Sequence, residues 1–177
     1  MKEIDKVTND LKKNNLNIKD YLKIYNDIDT NKKYCILRLF NVHGKNPPKG
    51  IFHTDMLHKL KNNQSITINN SIRDFIHVKD LVEAIIKASK SKKKGLAYNL
   101  GSVKETSVNY IAKLISNKKV SIPKRPGEPD RSKANIKMAI KDFNWKPKIS
   151  VSQGVSELLK DLNLYRNAPV WTPNKIN

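Results

Sequence analysis

Arg73-Asp74-Phe75-Ile76-His77-Val78 is the stretch whose reading decides the fold of this chain. An arginine heads a short apolar run, and a helix signal follows at Lys79-Asp80. The flanking alternation of Phe75 and Val78 can bury the segment and fix the direction of the arginine. A guanidinium held that way can meet a phosphate or a carboxylate with two parallel hydrogen bonds. A surface ion pair is the commoner explanation of an Arg-Asp dipeptide alone, so its weight comes from the rest of the chain.

Helix and strand signals alternate on both sides. Residues 16–28 carry helix-spaced apolar positions, from Leu16 through Tyr21, Leu22 and Tyr25 to Ile28. Tyr34-Cys35-Ile36-Leu37 is a continuous apolar run, which suits a buried parallel strand. Asn41 to Gly50 reads as a loop by its Gly and Pro content, and 51–61 as a helix. Ser65 to Ile68 is a short strand, Asn69-Asn70-Ser71 a turn, and Asp80 to Ala88 an amphipathic helix. Leu96 to Leu100 is another strand, closed by Gly101. Ser107 can cap a helix carrying Tyr110, Ile111 and Leu114. Val120 to Ile122 is a strand and Pro123 to Pro129 a loop. Asn135 to Phe143 is helical, with Trp145-Lys146-Pro147 stopping it, and Ser150 or Ser152 caps a last helix through Leu162. The tail from Ala168 to Pro173 is broken by proline. This alternation points to an α/β fold.

Composition narrows the classes. A chain of 177 residues is long enough to bury a real core as one domain. No apolar run approaches the ~20 residues that span a bilayer. Met1 to Asp5 shows no apolar signal-peptide region, and the single Cys35 cannot form an internal disulfide. A reducing, cytoplasmic setting with Cys35 as a buried small hydrophobe is the expectation. The net charge of +19 invites a nucleic-acid reading. Yet the basic residues are overwhelmingly lysines, scattered over every segment. The dense run at Lys90 to Lys94 sits between a helix and a strand, as a solvated loop would. His43 and His77 lack metal-ligand spacing, so no metal site is expected.

Leu37-Arg38-Leu39-Phe40-Asn41-Val42-His43-Gly44, then Arg73 to Asp80, Tyr98-Asn99-Leu100-Gly101, Arg125-Pro126-Gly127-Glu128-Pro129 and Asn144-Trp145-Lys146-Pro147 follow in order. That series resembles the NAD-dependent nucleotide-sugar epimerase/dehydratase family, the extended short-chain dehydrogenase/reductases that include UDP-glucose 4-epimerase. The resemblance covers about residues 20 to 165 and leaves 1–19 and 166–177 as poorly matched ends of a single truncated domain, 1–177. It implies the last strands of a Rossmann-type parallel sheet plus the small substrate-binding lobe. It also implies site roles, for a UDP- or dTDP-sugar as partner. Asn41 matches an asparagine touching the diphosphate, Arg73 an arginine binding it and Arg125 a second phosphate-binding arginine. Glu128 matches the acid that holds the ribose. Chemistry agrees, since a guanidinium grips a diphosphate bidentately and a carboxylate accepts from a diol. Arg38 is expected to be structural, at the end of the buried strand, and Asp74 to make local backbone contacts.

The cofactor half of that pattern is missing. All six glycines lie at Gly44 or later, so no glycine-rich turn can present a helix N-terminus to a pyrophosphate. Where the family's Tyr-x-x-x-Lys pair belongs, the chain reads Asn9-Asp10-Leu11-Lys12-Lys13-Asn14-Asn15. Asn and Leu cannot carry out the proton transfer. The expectation is therefore a substrate-binding C-terminal half, inactive alone, with no catalytic and no cofactor-binding residue of its own, although NAD serves the family. The competing readings are a basic nucleic-acid-binding protein and a non-catalytic partner subunit of an intact homologue. A homo-oligomer, or a partner chain supplying the N-terminal half, fits the same pattern.

Overall fold

The computed structural model of the protein describes residues 34–45, 52–93, 95–124 and 126–165. The expected helix over 16–28, Arg125 and the proline-broken tail lie outside the described residues. The described elements are β1 (Cys35–Leu39), β2 (Asn41–His43), α1 (Phe52–Lys61), β3 (Ile66–Ile68), β4 (Ile72–His77) and α2 (Val78–Ser89). They continue as β5 (Leu96–Leu100), β6 (Glu105–Ser107), α3 (Val108–Ile115), β7 (Lys119–Ser121), α4 (Lys137–Phe143) and α5 (Val151–Leu159). A 3-10 turn over Leu162–Tyr165 follows.

β1 runs parallel to β5, with Cys35 opposite Leu96 and Leu39 opposite Leu100. At Phe40 the chain changes partner. The Phe40 N–H still donates to Leu100 O at 3.0 Å, but Asn41 already lies opposite Phe75 of β4, in a parallel ladder that ends with His43 opposite His77. The other edge of β4 pairs antiparallel with β6, Arg73 opposite Thr106. β3 and β7 form a separate parallel pair.

Successive residues of a strand face opposite ways, and β4 uses this to feed two cores. Phe75 packs among Met56 and Leu57 of α1, Ile111 of α3 and Val155 and Leu158 of α5. Ile76 packs among Leu81 and Ala84 of α2, Tyr98 and Leu100 of β5, and Phe143 and Trp145 at the end of α4. Local chemistry sets the helix starts. Ser107 Oγ accepts the Tyr110 N–H, and Ser150 and Gln153 form a reciprocal capping box at α5. The His77 side chain caps α2 by accepting the Lys79 N–H. Asn144, left-handed at φ 47°, closes α4.

Several expectations change. Asn41 to His43 is a strand rather than the start of a loop, because β4 supplies a ladder that local composition does not announce. β6 is a strand with no apolar run to mark it; its partner is again β4. β1 is half-buried, with Arg38 and Leu39 exposed and Cys35 intermediate. Its cause is visible in the pairing, since β5 is its one sheet neighbour among the described residues. α2 starts two residues earlier than its charge pattern implied, α4 starts at Lys137, and α5 gives way after Leu159 to the 3-10 turn.

Asp74 bonds not locally, as its place in the sequence implies, but to remote segments. Its carboxylate is fully buried and accepts from the Ser102 N–H (2.5 Å), Ser102 Oγ (2.7 Å), the Val103 N–H (2.9 Å) and the Ala134 N–H (3.0 Å). Gly101 makes room for it. A Cβ there would sit 2.9 Å from Asp74 Oδ2 and closer still to Ala134 Cβ. Asp74→Asn keeps the shape but turns an NH2 group toward these donors. It is expected to cost about 3 kcal/mol of stability, measured as a shift in urea midpoint. A shift of under about 0.5 kcal/mol would show that the carboxylate is not needed there.

Candidate functional site

β4 places Arg73 with only 11% of its side chain exposed, and Glu128 with 16%. Arg73 Nη2 donates to Glu128 Oε1 at 2.8 Å. Nη1 donates to the carbonyls of Ile72 (2.9 Å) and Asp130 (3.2 Å). The segment carrying Asp130 is strapped to the strand, since the Ile72 N–H donates to Asp130 O and the Ser132 N–H to Ile72 O. A guanidinium has five N–H donors. Three are engaged here, which leaves the Nε–H and one Nη2–H of Arg73 for an oxyanion while the side chain is held rigid.

Glu128 is gripped by further groups. Ser71 Oγ donates to its Oε1 at 3.2 Å. Asn69 Nδ2 lies 3.3 Å from Oε2 and 3.5 Å from Oε1. Asn69 is itself fixed, because its Oδ1 accepts the Ser71 N–H at 3.2 Å in an Asx turn. The parallel register puts Asn41 on the Arg73 face of the sheet, and Asn41 Nδ2 donates to Asp74 O at 3.2 Å. The structure thus brings Arg73 and Glu128 into direct contact, with Asn41 on the neighbouring strand. Arg125 lies outside the described residues. Asn69 and Ser71 were legible only as a turn; their position just before the arginine was the available signal. A separate open cleft is lined by Lys104, Tyr110, Lys148 and Ser150 among others, and none of the expected site residues lines it.

The glycines that follow β2 and β5 are closely packed. Gly44 follows β2 at φ +139°, but a Cβ there would run into Val78. Gly101 follows β5 and faces Asp74 and Ala134. Both of these glycines are occupied by packing, whereas Gly95 and Gly127 have open space beside them.

Three histidines gather at the ends of β2 and β4 and on α1. The His43 and His77 rings meet edge-on with centroids 5.0 Å apart, and Gly154 of α5 presses against both. Neither His43 ring nitrogen has a hydrogen-bond partner among the described residues. Burial, aided by His77 and His53, pushes the His43 pKa down to about 3. Burial lowers that of His53 to about 4. His77 is lowered too, chiefly by burial and against the pull of Glu157. No group of three or more His, Cys, Asp or Glu among the described residues is arranged to hold a metal ion. No described helix is long and apolar enough to cross a membrane.

The sequence model of the NAD dependent epimerase/dehydratase family matches residues 16–101. UDP-glucose 4-epimerase 2 of Oryza sativa subsp. japonica is 31% identical over 180 residues, covering 84% of this chain and 43% of that protein. The dTDP-4-dehydro-6-deoxyglucose reductase of Escherichia coli is 27% identical over 149 residues, covering 76% of this chain and 46% of the relative. The chain therefore spans under half the length of these relatives. Among solved structures, UDP-glucuronic acid 4-epimerase from Bacillus cereus, in complex with UDP-glucuronic acid and NAD, superposes with a TM-score of 0.74 at 22% identity. The match covers 82% of this chain and 50% of that one. UDP-glucose 4-epimerase from Thermotoga maritima, solved with UDP-glucose, gives 0.70 at 23% identity, over 81% and 50%. The fold is thus part of an extended short-chain dehydrogenase/reductase: last strands of the sheet plus the smaller lobe.

The buried imidazoles generate a prediction about acid. The unfolded chain takes up protons at about the ordinary histidine value of 6.5, while the folded chain refuses one at His43 until about 3. Stability from neutral His43 is complete above pH 6.5 and falls as the pH drops through that window. His43→Phe is expected to flatten the loss of urea stability between pH 6.5 and 4. An unchanged pH slope in the variant would refute this origin of the acid sensitivity.

Proposed function

We propose, from the premise that this chain belongs to the NAD-dependent epimerase/dehydratase family, that its described residues form the sugar-nucleotide-binding part of such an enzyme. The observation that carries this is Arg73. Its guanidinium is fixed by Glu128 and two main-chain carbonyls, yet keeps two N–H donors for an anion. The diphosphate of a UDP- or dTDP-sugar meets those donors, with Asn41 on the adjoining strand and Arg125 as a second phosphate ligand. Glu128 accepts from the ribose. The ligand is the substrate class of the family, and the assigned roles are binding and orientation. No described group is assigned a proton transfer.

The 177 residues by themselves are proposed to be catalytically silent, because they lack the glycine turn and the Tyr-x-x-x-Lys pair. A partner reading is favoured by one observation. β1 has a single sheet neighbour among the described residues, and Leu39 on it is 49% exposed. On this reading a second copy, or a chain bearing the N-terminal half, adds strands beside β1.

Titration of UDP and UDP-glucose by calorimetry tests the site. Arg73→Ala is expected to weaken binding by more than about tenfold, the loss of a hydrogen-bonded charge. Arg73→Lys is expected to recover only part, since an ammonium cannot make the two-pronged contact. Arg131→Ala removes an exposed arginine paired with Glu105 and is expected to change little. Equal losses for all three variants would reduce the site to nonspecific electrostatics.

Cofactor binding gives an independent check. NAD added to the purified 177-residue chain is expected to bind weakly, with no conversion of UDP-glucose, UDP-galactose or dTDP-glucose. A low-micromolar dissociation constant, about −8 kcal/mol, or measurable turnover would contradict this reading.

A further inference from the structure

We propose that the cleft between β6, α3 and residues 147–152 is a second binding site, for a small organic oxyanion whose head pairs with Lys104. It is independent of the sugar-nucleotide reading, since none of Asn41, Arg73 and Glu128 lines it. The cleft measures about 300 Å³, the small end of the range for ligand pockets. No Asp or Glu is in its lining, and the acids next to the lining residues are engaged elsewhere. Glu105 pairs with Arg131, Glu83 with Lys87 and Lys148, and the Asp74 carboxylate with main-chain and hydroxyl donors. Of the two lysines in the lining, Lys148 is thus bonded to Glu83 at 2.8 Å. Lys104 has no ion pair among the described residues.

Two walls of the cleft are pinned, each by a buried aspartate. On one, the Ser102 and Val103 N–H groups donate to Asp74 at 2.5 and 2.9 Å, and the Lys104 N–H donates to Ser102 Oγ at 3.1 Å. Val103 is held there in the left-handed region, at φ 64°. That conformation is strained for a β-branched residue, and such strain gathers where a loop must aim a functional group. On the other wall, the Lys148 and Ile149 N–H groups donate to Asp80 Oδ2 at 3.0 and 2.9 Å. The capping box of α5 closes its own first turn, so Lys104 and not the helix end supplies the free charge. Tyr110 of α3 is 47% exposed, and its hydroxyl has no partner among the described residues. Thr106 adds a further hydroxyl, and Pro147 and Ile149 an apolar surface. A lone cation beside hydroxyl donors and an apolar wall, with no competing acid, matches a carboxylate or a phosphate monoester that carries a ring-sized body. Walls fixed before binding reduce the ordering cost of holding it.

Amide NMR titration of the full isotope-labelled chain with phenyl phosphate, benzoate and inorganic phosphate tests this. Phenyl phosphate or benzoate is expected to bind with a dissociation constant below about 1 mM and to shift the amides of Lys104, Thr106, Tyr110 and Ser152. The tighter of the two identifies the head. Any shift at Arg73 reports the other site and saturates separately. Inorganic phosphate lacks the body and is expected to bind the cleft at least about fivefold more weakly. Lys104→Ala is expected to weaken the organic probe by about fivefold or more, and Tyr110→Phe by about threefold. Both positions are exposed, so these variants keep the fold. Lys92→Ala removes an exposed lysine outside the cleft and is expected to leave binding unchanged. Equal losses for Lys104→Ala and Lys92→Ala overturn the site, since they mark general attraction to a basic chain. Inorganic phosphate binding as tightly as both organic probes overturns the organic ligand class. Shifts confined to Arg73 and Asn41 overturn the second site and leave the sugar-nucleotide reading standing, and no shift in the cleft with any probe overturns it as well.

Discussion

The buried carboxylate of Asp74 is the constraint on which the rest of this structure depends. It gathers main-chain donors from the turn after β5 and from the segment before α4, groups that lie 28 to 60 residues further along the chain. Of these, the Ala134 N–H is buried and would otherwise lack a partner, at a cost of about 1–3 kcal/mol. One side chain therefore joins β4 to β5 and aligns the approach to α4. The absence of a side chain at Gly101 is the steric counterpart of that contact. Asp80 repeats the device one layer out. Its Oδ2 accepts from the N–H groups of Lys148 and Ile149, and its carbonyl accepts from the Trp145 indole. The α4–α5 connection is thereby bound to α2.

With Asp74 fixing one face of β4, Arg73 is aimed to the other. Its neighbour in sequence is a structural anion and its partner in space, Glu128, is another. The Arg73–Glu128 pair is largely removed from water, and such pairs add little net stability because desolvation offsets attraction. What the pair supplies is direction. A lysine at that position would have one rotating ammonium, whereas the guanidinium can hold two carbonyls and a carboxylate and still present donors. In a chain whose cations are overwhelmingly lysine, that geometry gives the arginine its meaning.

The histidine cluster shows the cost side of the same strand. β4 runs through two cores, so its C-terminal residue His77 is buried, and its register partner His43 is buried with it. Both rings are held neutral, and Gly154 lets α5 lie against them. This packing is stable at neutral pH and is opposed by protons, since two imidazolium charges 5.0 Å apart could not be solvated there.

Local chemistry in the sequence determined the kinds of elements and their order. Ser107 and Ser150 announced helix starts because a cap acts over three residues. The apolar runs at Ile66 and at Leu96 announced strands because burial on a pleated surface selects those side chains. The ordered series from Leu37 to Pro147 also identified the candidate residues Asn41, Arg73 and Glu128. Tertiary structure alone decided what depends on a distant partner. Asn41 to His43 became a strand because β4 lies beside it, and Glu105 to Ser107 did so on the opposite edge. Asp74 found donors in two remote segments, and a turn that read only as punctuation delivered Asn69 and Ser71 to Glu128, 57 to 59 residues away. Caps and periodicity are written in a few neighbouring residues, whereas a hydrogen bond across the sheet exists only once the chain has returned to the same place.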